Sequence, residues 1–336
     1  MDHVVNKENS MNPAPTPDQA AWFHQTFEAL VDNIGHAVLG KSQVVRLALT
    51  CMLAEGHLLL EDAPGTGKTS LARAIAATVQ GTHNRIQFTP DLLPSDVTGV
   101  SIYDQASRTF DFHRGPIFAS IVLADEINRA SPKTQSALLE VMEEGQVTVD
   151  GTTHRAPAPF MVIATQNPIE QAGTYRLPEA QLDRFLMKTE IGYPDHLATV
   201  EILSGAKEKD PASHLPARIT TDAVIKMAAL ASDVHVDPTV LEYVSHLARA
   251  TRDDADTRLG VSVRGALALI RTAKVWAAAH GRTFVLPDDI KELAHPVWNH
   301  RLVLDPEAEF AGATAAGVLG RVLADVAAPQ ERRTVA

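Results

Sequence analysis

An α/β fold built on a parallel sheet, followed by a second, all-helical domain, is predicted by three features of the sequence. Short apolar runs, mostly continuous, alternate with helical periods in the first half. A glycine-rich turn joins one such run directly to a helix, and from about Asp195 the runs give way to helical spacing alone. Continuous apolar runs belong to strands buried on both faces, as in a parallel sheet covered by helices.

The first 17 residues are polar, end in Asn12-Pro13-Ala14-Pro15-Thr16-Pro17, and lack the apolar and basic regions of a signal peptide, so they read as a disordered lead. Apolar positions in Asp18 to Leu39 and in Ser42 to Ala54 fit two amphipathic helices parted by Gly40. Strands are expected at His57 to Glu61, Asn84 to Phe88, Ile121 to Ala124 and Phe160 to Ala164, with helices at Thr69 to Val79 and Pro132 to Glu144. Helical segments follow at Ala198 to Glu208, Thr221 to Ala231, Pro238 to Thr251, Ser262 to His280 and Pro287 to Leu293. The punctuation Gly192-Tyr193-Pro194-Asp195 marks the joint. The expected organisation is a lead over 1–17, an αβα core over 18–194 and a helical domain over 195–336.

Composition agrees with this and removes several function classes. A chain of 336 residues carries a prior of about two domains and needs no staples to close a core. The single cysteine, Cys51, gives no disulfide framework and fits a cytoplasmic setting. A net charge of −11 counts against nucleic acid as the main partner. The apolar stretch Ala311 to Ala328 is broken by Arg321 and Asp325, so no membrane insertion is expected. Fourteen histidines invite a metal search, yet there is no His-Glu-x-x-His and no cysteine pair, and His295 and His300 straddle Pro296. Core or solvated histidines are the expectation.

The chemistry concentrates at three strand ends. After Glu61 comes Asp62-Ala63-Pro64-Gly65-Thr66-Gly67-Lys68-Thr69, opening into a helix. Glycines there let backbone N–H groups wrap phosphate oxygens and the helix N-terminus adds positive potential, so Pro64, Gly65, Thr66, Gly67 and Ser70 form the cradle. Lys68 meets the β and γ phosphates of ATP and Thr69 ligates Mg²⁺. Asp62 stands where the general pattern begins with Gly. The run Ile121 to Ala124 delivers Asp125-Glu126, one carboxylate to hold Mg²⁺ and one to deprotonate the attacking water. The run Phe160 to Ala164 ends in Thr165-Gln166-Asn167-Pro168, where Asn167 either hydrogen-bonds the γ-phosphate and the lytic water or initiates an Asn-Pro turn.

These strings, with Leu123-Ala124-Asp125-Glu126-Ile127-Asn128-Arg129-Ala130 and Leu177-Pro178-Glu179-Ala180-Gln181-Leu182-Asp183-Arg184-Phe185, resemble the AAA+ ATPases and, within them, the MoxR family. The resemblance runs from about Ala29 through the helical domain, and Asp62 in place of Gly is usual in that family. It implies a P-loop NTPase core with a C-terminal helical lid. It implies that Arg184 is an arginine finger reaching the ATP of a neighbouring subunit, on a helix started by Pro178 and anchored by Leu182 and Phe185. The alternative is a surface arginine paired with Glu179 or Asp183. Gly260-Val261-Ser262-Val263-Arg264-Gly265 is similar to the sensor 2 motif, usually Gly-Ala-Ser-Pro-Arg-Ala, with Ser262 as N-cap and Arg264 pointing back at the nucleotide. Val38-Leu39-Gly40 resembles the stretch lining the adenine pocket, or is an ordinary helix stop at Gly40.

Two insertions carry the subfamily resemblance. About 92–118, with β-like pieces at Val100 to Tyr103 and Thr109 to Phe112, looks like the helix 2 insert; about 146–156 is an Asp-Gly hairpin resembling the pre-sensor 1 hairpin. Their aromatics either meet a client or close the insert on itself. The resemblance implies an ATP-hydrolysing ring homo-oligomer, expected to be a hexamer. Its lid moves against the core to remodel or mature a protein client, together with a von Willebrand factor A domain partner. A DNA-remodelling motor and a non-hydrolysing nucleotide-gated adaptor are the rival readings.

Overall fold

The computed structural model describes residues 14–62, 65–167, 174–204 and 211–329. Helices α1 (Pro17–Gly35) and α2 (Ser42–Leu53) open it. Thr16 caps α1 in a reciprocal capping box with Gln19, and Pro17 takes the first helical position, so the helix begins inside the expected lead. Strand β1 (Leu58–Glu61), helix α3 (Lys68–Thr78) and strand β2 (His83–Gln87) follow. Helix α4 (Pro94–Thr98) leads into the ribbon of β3 (Gly99–Asp104) and β4 (Thr109–Arg114). Strand β5 (Ile121–Asp125) and helix α5 (Pro132–Glu144) precede the hairpin of β6 (Gln146–Val149) and β7 (Thr152–Arg155). Strand β8 (Met161–Gln166), helix α6 (Glu179–Leu182) and strand β9 (Met187–Thr189) complete the sheet layer.

Strands β2, β5, β8, β1 and β9 lie in that order in one five-stranded sheet, and every pairing is parallel. Two apolar clusters cover it. Leu58, Leu60, Leu123 and Ile163 point to the side of α1, α2 and α3, whereas Leu59, Val122, Ala124 and Val162 point to the side of α5. Both faces of each central strand are therefore dry, which is why these strands read as continuous apolar runs. The register sets Ala124 beside Ala164 and Leu60 beside Thr165, so the carboxyl ends of β5, β8 and β1 are neighbours. Ligands of open parallel sheets bind at such ends.

The second half contains α7 (His196–Ser204), α8 (Thr221–Ser232) and α9 (Pro238–Asp253). After β10 (Thr257–Leu259) come α10 (Val263–Ala279), α11 (Pro287–Trp298), β11 (Val303–Leu304), α12 (Pro306–Phe310) and α13 (Ala315–Asp325). This half is not purely helical, because β10 and β11 pair antiparallel. Two or three residues per strand are too few to show an alternation. Helix α11 also runs on through Pro296, five residues past its expected stop at Leu293. Pro296 lies in the last turn, where only one carbonyl loses its donor. No helix among the described residues is long and apolar enough to cross a membrane.

Both insertions form antiparallel ribbons, β3 with β4 from Gly99–Arg114 to Asp104–Thr109 and β6 with β7 from Gln146–Arg155 to Val149–Thr152. Asp150 and Gly151 adopt φ +50° and +77°, as a two-residue Asp-Gly turn requires. The insert aromatics divide. Phe112 stacks on His154 at 4.0 Å between ring centroids and so joins the two ribbons, while Tyr103 and Phe110 pair with each other and remain exposed.

A buried histidine ties the sheet to α5. His57 Nδ1 accepts from the Val162 N–H at 3.0 Å, which leaves Nε2 to donate to Met142 O at 2.9 Å. Burial pushes this imidazole down to about 4 from an ordinary 6.5. The unfolded chain takes the proton near 6.5 and the folded one near 4, so folding stability present above pH 6.5 is lost as the pH falls through that window, by about 3 kcal/mol. Denaturant unfolding followed at pH 7 and pH 4.5 is expected to show that loss, with a smaller drop in His57→Gln.

Candidate functional site

The sheet ends gather the expected groups at the P-loop. Gly65 and Gly67 adopt φ +85° and +95°, conformations that favour glycine, and Gly67 caps α3 so that Lys68, Thr69 and Ser70 form its first turn. Lys68 Nζ donates to the Asp62 carbonyl at 3.2 Å. Asp62 itself is buried, and its carboxylate accepts from the backbone N–H groups of Ile191 and Gly192, the latter at 3.0 Å. This explains an aspartate where the general P-loop pattern begins with glycine: it ties the loop entrance to the chain leaving β9. Pro64 lies outside the described residues.

A cavity of about 290 Å³ is lined by Gly67, Lys68, Thr69, Asp125, Glu126 and Arg85. Both acidic groups are held in place by neighbours. Thr165 Oγ1 donates to Asp125 Oδ1 at 2.6 Å and accepts from the Glu126 N–H at 2.9 Å, so one buried hydroxyl spaces the pair. Arg85 Nη2 meets Asp125 Oδ2 at 2.6 Å. Glu126 sits at φ +57°, just beyond the strand, and its Oε2 accepts from Gln87 at 2.9 Å and from Arg129 at 2.8 Å. A non-glycine residue in this conformation is uncommon, and it turns Glu126 out of the strand direction. Asn167 is buried at the end of β8, between β5 and β1.

The same P-loop borders a second cavity of about 520 Å³, whose lining includes Val38, Leu39, Gly65, Ser70, Ile202 and Leu203. It is apolar where Leu39 meets α7, which suits a heteroaromatic base. Gly40 does not line it. With φ +71°, and with Ala198 Cβ 2.9 Å from where its own Cβ would stand, Gly40 makes the tight turn that sets Leu39 against α7. The hydroxyl of Thr69 and the carboxylate of Asp125 are hard oxygen donors facing a phosphate cradle, a set that fits Mg²⁺. Among the described residues no group of three or more His, Cys, Asp or Glu is arranged to hold a metal on its own.

The two remaining arginines stand elsewhere. Helix α6 ends at Leu182, so Arg184 follows the helix expected to carry it, with Phe185 fully buried as its anchor. Arg184 Nε lies 3.2 Å from Glu143 Oε2, and Arg264 Nη2 lies 3.2 Å from Glu143 Oε1. Ser262 caps α10 by accepting from the Gly265 N–H, which puts Arg264 in the first turn as expected. Its direction differs from the expectation. Arg264 joins Arg184 in a pocket of about 280 Å³ that shares no lining residue with the two cavities at the P-loop. The reason is packing: α10 is seated on α1 and α2, and Trp298 Nε1 fastens the Gly265 carbonyl, so its first turn faces the end of α5. Arg184 is also not paired with Glu179, which instead holds Arg258 at 3.0 Å. The sequence names Thr165 in the polar tip after the Phe160–Ala164 run without giving it a role, and nothing in it singles out Glu143, one carboxylate among several at the end of a helix.

Comparison with known proteins places the chain. Residues 57–187 match the family model described as "ATPase family associated with various cellular activities (AAA)", and residues 249–320 match the AAA lid domain. An uncharacterized protein of Bacillus subtilis, YeaC, is 46% identical over 93% of this chain and 98% of its own length. The chaperone MoxR1 of Mycobacterium tuberculosis is 39% identical over 98% of this chain and 89% of its own. A crystal structure of a Cytophaga hutchinsonii protein described as a candidate ATPase superposes with a TM-score of 0.87 at 36% identity, covering 93% of this chain and 98% of that one. With a P-loop at β1, an acidic pair at β5 and a lid-domain match, the chain belongs to the MoxR family of AAA+ ATPases.

Proposed function

We propose that the protein hydrolyses ATP to ADP and phosphate at a site completed between two copies of the chain, and that it uses the cycle to remodel or mature a protein client. The observation that carries the reading is the convergence of Lys68, Thr69, Asp125 and Glu126 on one cavity while Arg184 and Arg264 share another. The backbone N–H groups from Gly65 to Ser70 and the Lys68 ammonium bind the β and γ phosphates, and Leu39, Ile202 and Leu203 take the base. Thr69 and Asp125 hold Mg²⁺, which when bound spreads the charge developing on the phosphates. Glu126 removes a proton from the attacking water as its oxygen bonds the γ-phosphorus and the bond to the β–γ bridging oxygen breaks. Asn167 orients that water. Arg184 and Arg264 of one subunit meet the γ-phosphate of the next, so a ring homo-oligomer, expected to be a hexamer, is the working form.

The remaining assignments rest on the family and on exposed surface. The division at 194/195 separates the nucleotide core from the lid. Tyr103 and Phe110, exposed at the end of the insert, suit contact with a client, and a von Willebrand factor A domain protein is the expected partner. The setting is cytoplasmic. Phosphate release from Glu126→Gln tests the core of the reading. Turnover is expected to fall about 10²- to 10⁴-fold with ATP binding preserved, because the amide keeps the shape of the side chain and cannot accept the proton. Turnover at the parental rate would assign the base to another residue.

A further inference from the structure

Arg301 ends the turn Asn299–Arg301 after α11, and its side chain is only 4% exposed. Each of its three nitrogens reaches the segment that carries Arg184. Nε meets Asp183 Oδ1 at 2.7 Å, Nη2 meets Phe185 O at 2.8 Å and Asp183 O at 3.3 Å, and Nη1 meets Leu186 O at 3.2 Å. Nη1 also meets Val297 O and, at 2.8 Å, His300 Nε2, which ties the guanidinium to the end of α11 and its own turn. Asp183 continues the chain of contacts, with Oδ2 at 3.8 Å from Arg264 Nε. One planar cation of the lid thus fixes the backbone on both sides of Arg184 and, through Asp183, faces Arg264. Gly265 makes the seat possible. A Cβ there would stand 3.0 Å from Arg301 Cδ and 2.9 Å from Val261 Cγ1.

We propose that Arg301 is a positioning residue for Arg184: it locks residues 183–186 to the lid and so holds the Arg184 guanidinium where it receives the phosphate of a neighbouring subunit. The inference rests on the reading that Arg184 serves that neighbour. Lysine cannot substitute, because a single ammonium with three rotatable donors cannot span a carboxylate and three carbonyls in a fixed plane. Loose packing of this segment would leave Arg184 charged and present but misplaced, and displacements near 1 Å suffice to slow an aligned reaction.

The test is a cycle of four proteins: parent, Arg301→Lys, Arg184→Ala and the double variant, each assayed for turnover, for ATP affinity at its own P-loop and for melting temperature. Arg301→Lys is expected to lower kcat on the order of tenfold while leaving KM and own-site affinity within about twofold. In the Arg184→Ala background the same substitution should change kcat by less than about twofold, since the group it positions is gone. An equal fall in both backgrounds, or no fall in the parent, would overturn the positioning role while leaving the finger intact. Parental turnover in Arg184→Ala would instead sink the finger reading and this proposal with it. Should Arg301→Lys fail to fold, Gly265→Ala presses a methyl group on the Arg301 stem. It is expected to lower kcat in the parent and not in Arg184→Ala, and a fall in both would again count against the proposal.

Discussion

Lys68→Ala is expected to weaken ATP binding at least about a hundredfold and to leave no measurable turnover, because the β and γ charges then enter a cradle of neutral N–H groups with no ammonium to meet them. The side chain is half-buried and donates to the Asp62 carbonyl at 3.2 Å, so any effect of losing that contact on the fold has to be separated from the loss of binding. Thermal unfolding separates the two effects. Ligand present at a hundred times its dissociation constant stabilises a folded protein by about 2.7 kcal/mol. The parent should therefore melt higher with ATP, and Lys68→Ala should melt at one temperature with and without it. A parental thermal shift in the variant would mean that the loop binds phosphate through its backbone alone.

The parts of this site that the sequence displays are those whose local chemistry is self-contained. A P-loop needs glycines at positive φ and a helix immediately after, and Gly65, Gly67 and the start of α3 are contiguous, so the residues announce the geometry. The acidic pair is legible for the same reason, coming directly after four buried apolar residues of β5. Strand β9 was not foreseen, because Met187–Thr189 is three residues long and gains its pairing from β1, whose sequence lies more than a hundred positions earlier. Thr165 was invisible as a spacer since its value lies in the β5–β8 register, which puts its hydroxyl between Asp125 and the Glu126 N–H.

The placement of Arg264 is not legible in the sequence for a related reason. Ser262 fixes where α10 begins, and that much is local. The direction of its first turn depends on α1 and α2 beneath it and on Glu143 and Asp183 opposite, contacts separated widely along the chain. Buried polar anchors behave likewise. Asp62 looks like a departure from a loop motif until its backbone partners at Ile191 and Gly192 are seen, and Arg301 looks like one basic residue in a polar turn until it is found 4% exposed. Motifs report chemistry that one segment carries alone, and the remainder is written in register and packing.

Arg184→Ala is expected to lower turnover by about 10³-fold or more while leaving ATP affinity nearly unchanged, because an arginine that stabilises the transition-state charge contributes that much and neither of the two P-loop cavities described above includes this side chain. The separation of the two pockets makes a stronger statement possible. In Lys68→Ala subunits the finger is intact and the phosphate site is lost; in Arg184→Ala subunits the reverse holds. If each site draws its finger from the next copy, an equal mixture with free subunit exchange contains competent interfaces at about a quarter of positions, since such head-to-tail contacts pair two independent surfaces. Activity should then appear in a mixture of two inactive proteins. A finger acting within its own chain gives no competent site in any mixture, because neither variant holds both groups. Glu143 sharpens the comparison. It meets both arginines at 3.2 Å, so an incoming γ-phosphate competes with a carboxylate already in contact with them. Glu143→Gln removes that competitor's charge and should raise turnover more in the parent than in Arg184→Ala, where Arg264 alone is left to be released. Silence of every mixture, with exchange demonstrated by labelled subunits, would place the finger in cis or remove it from the mechanism.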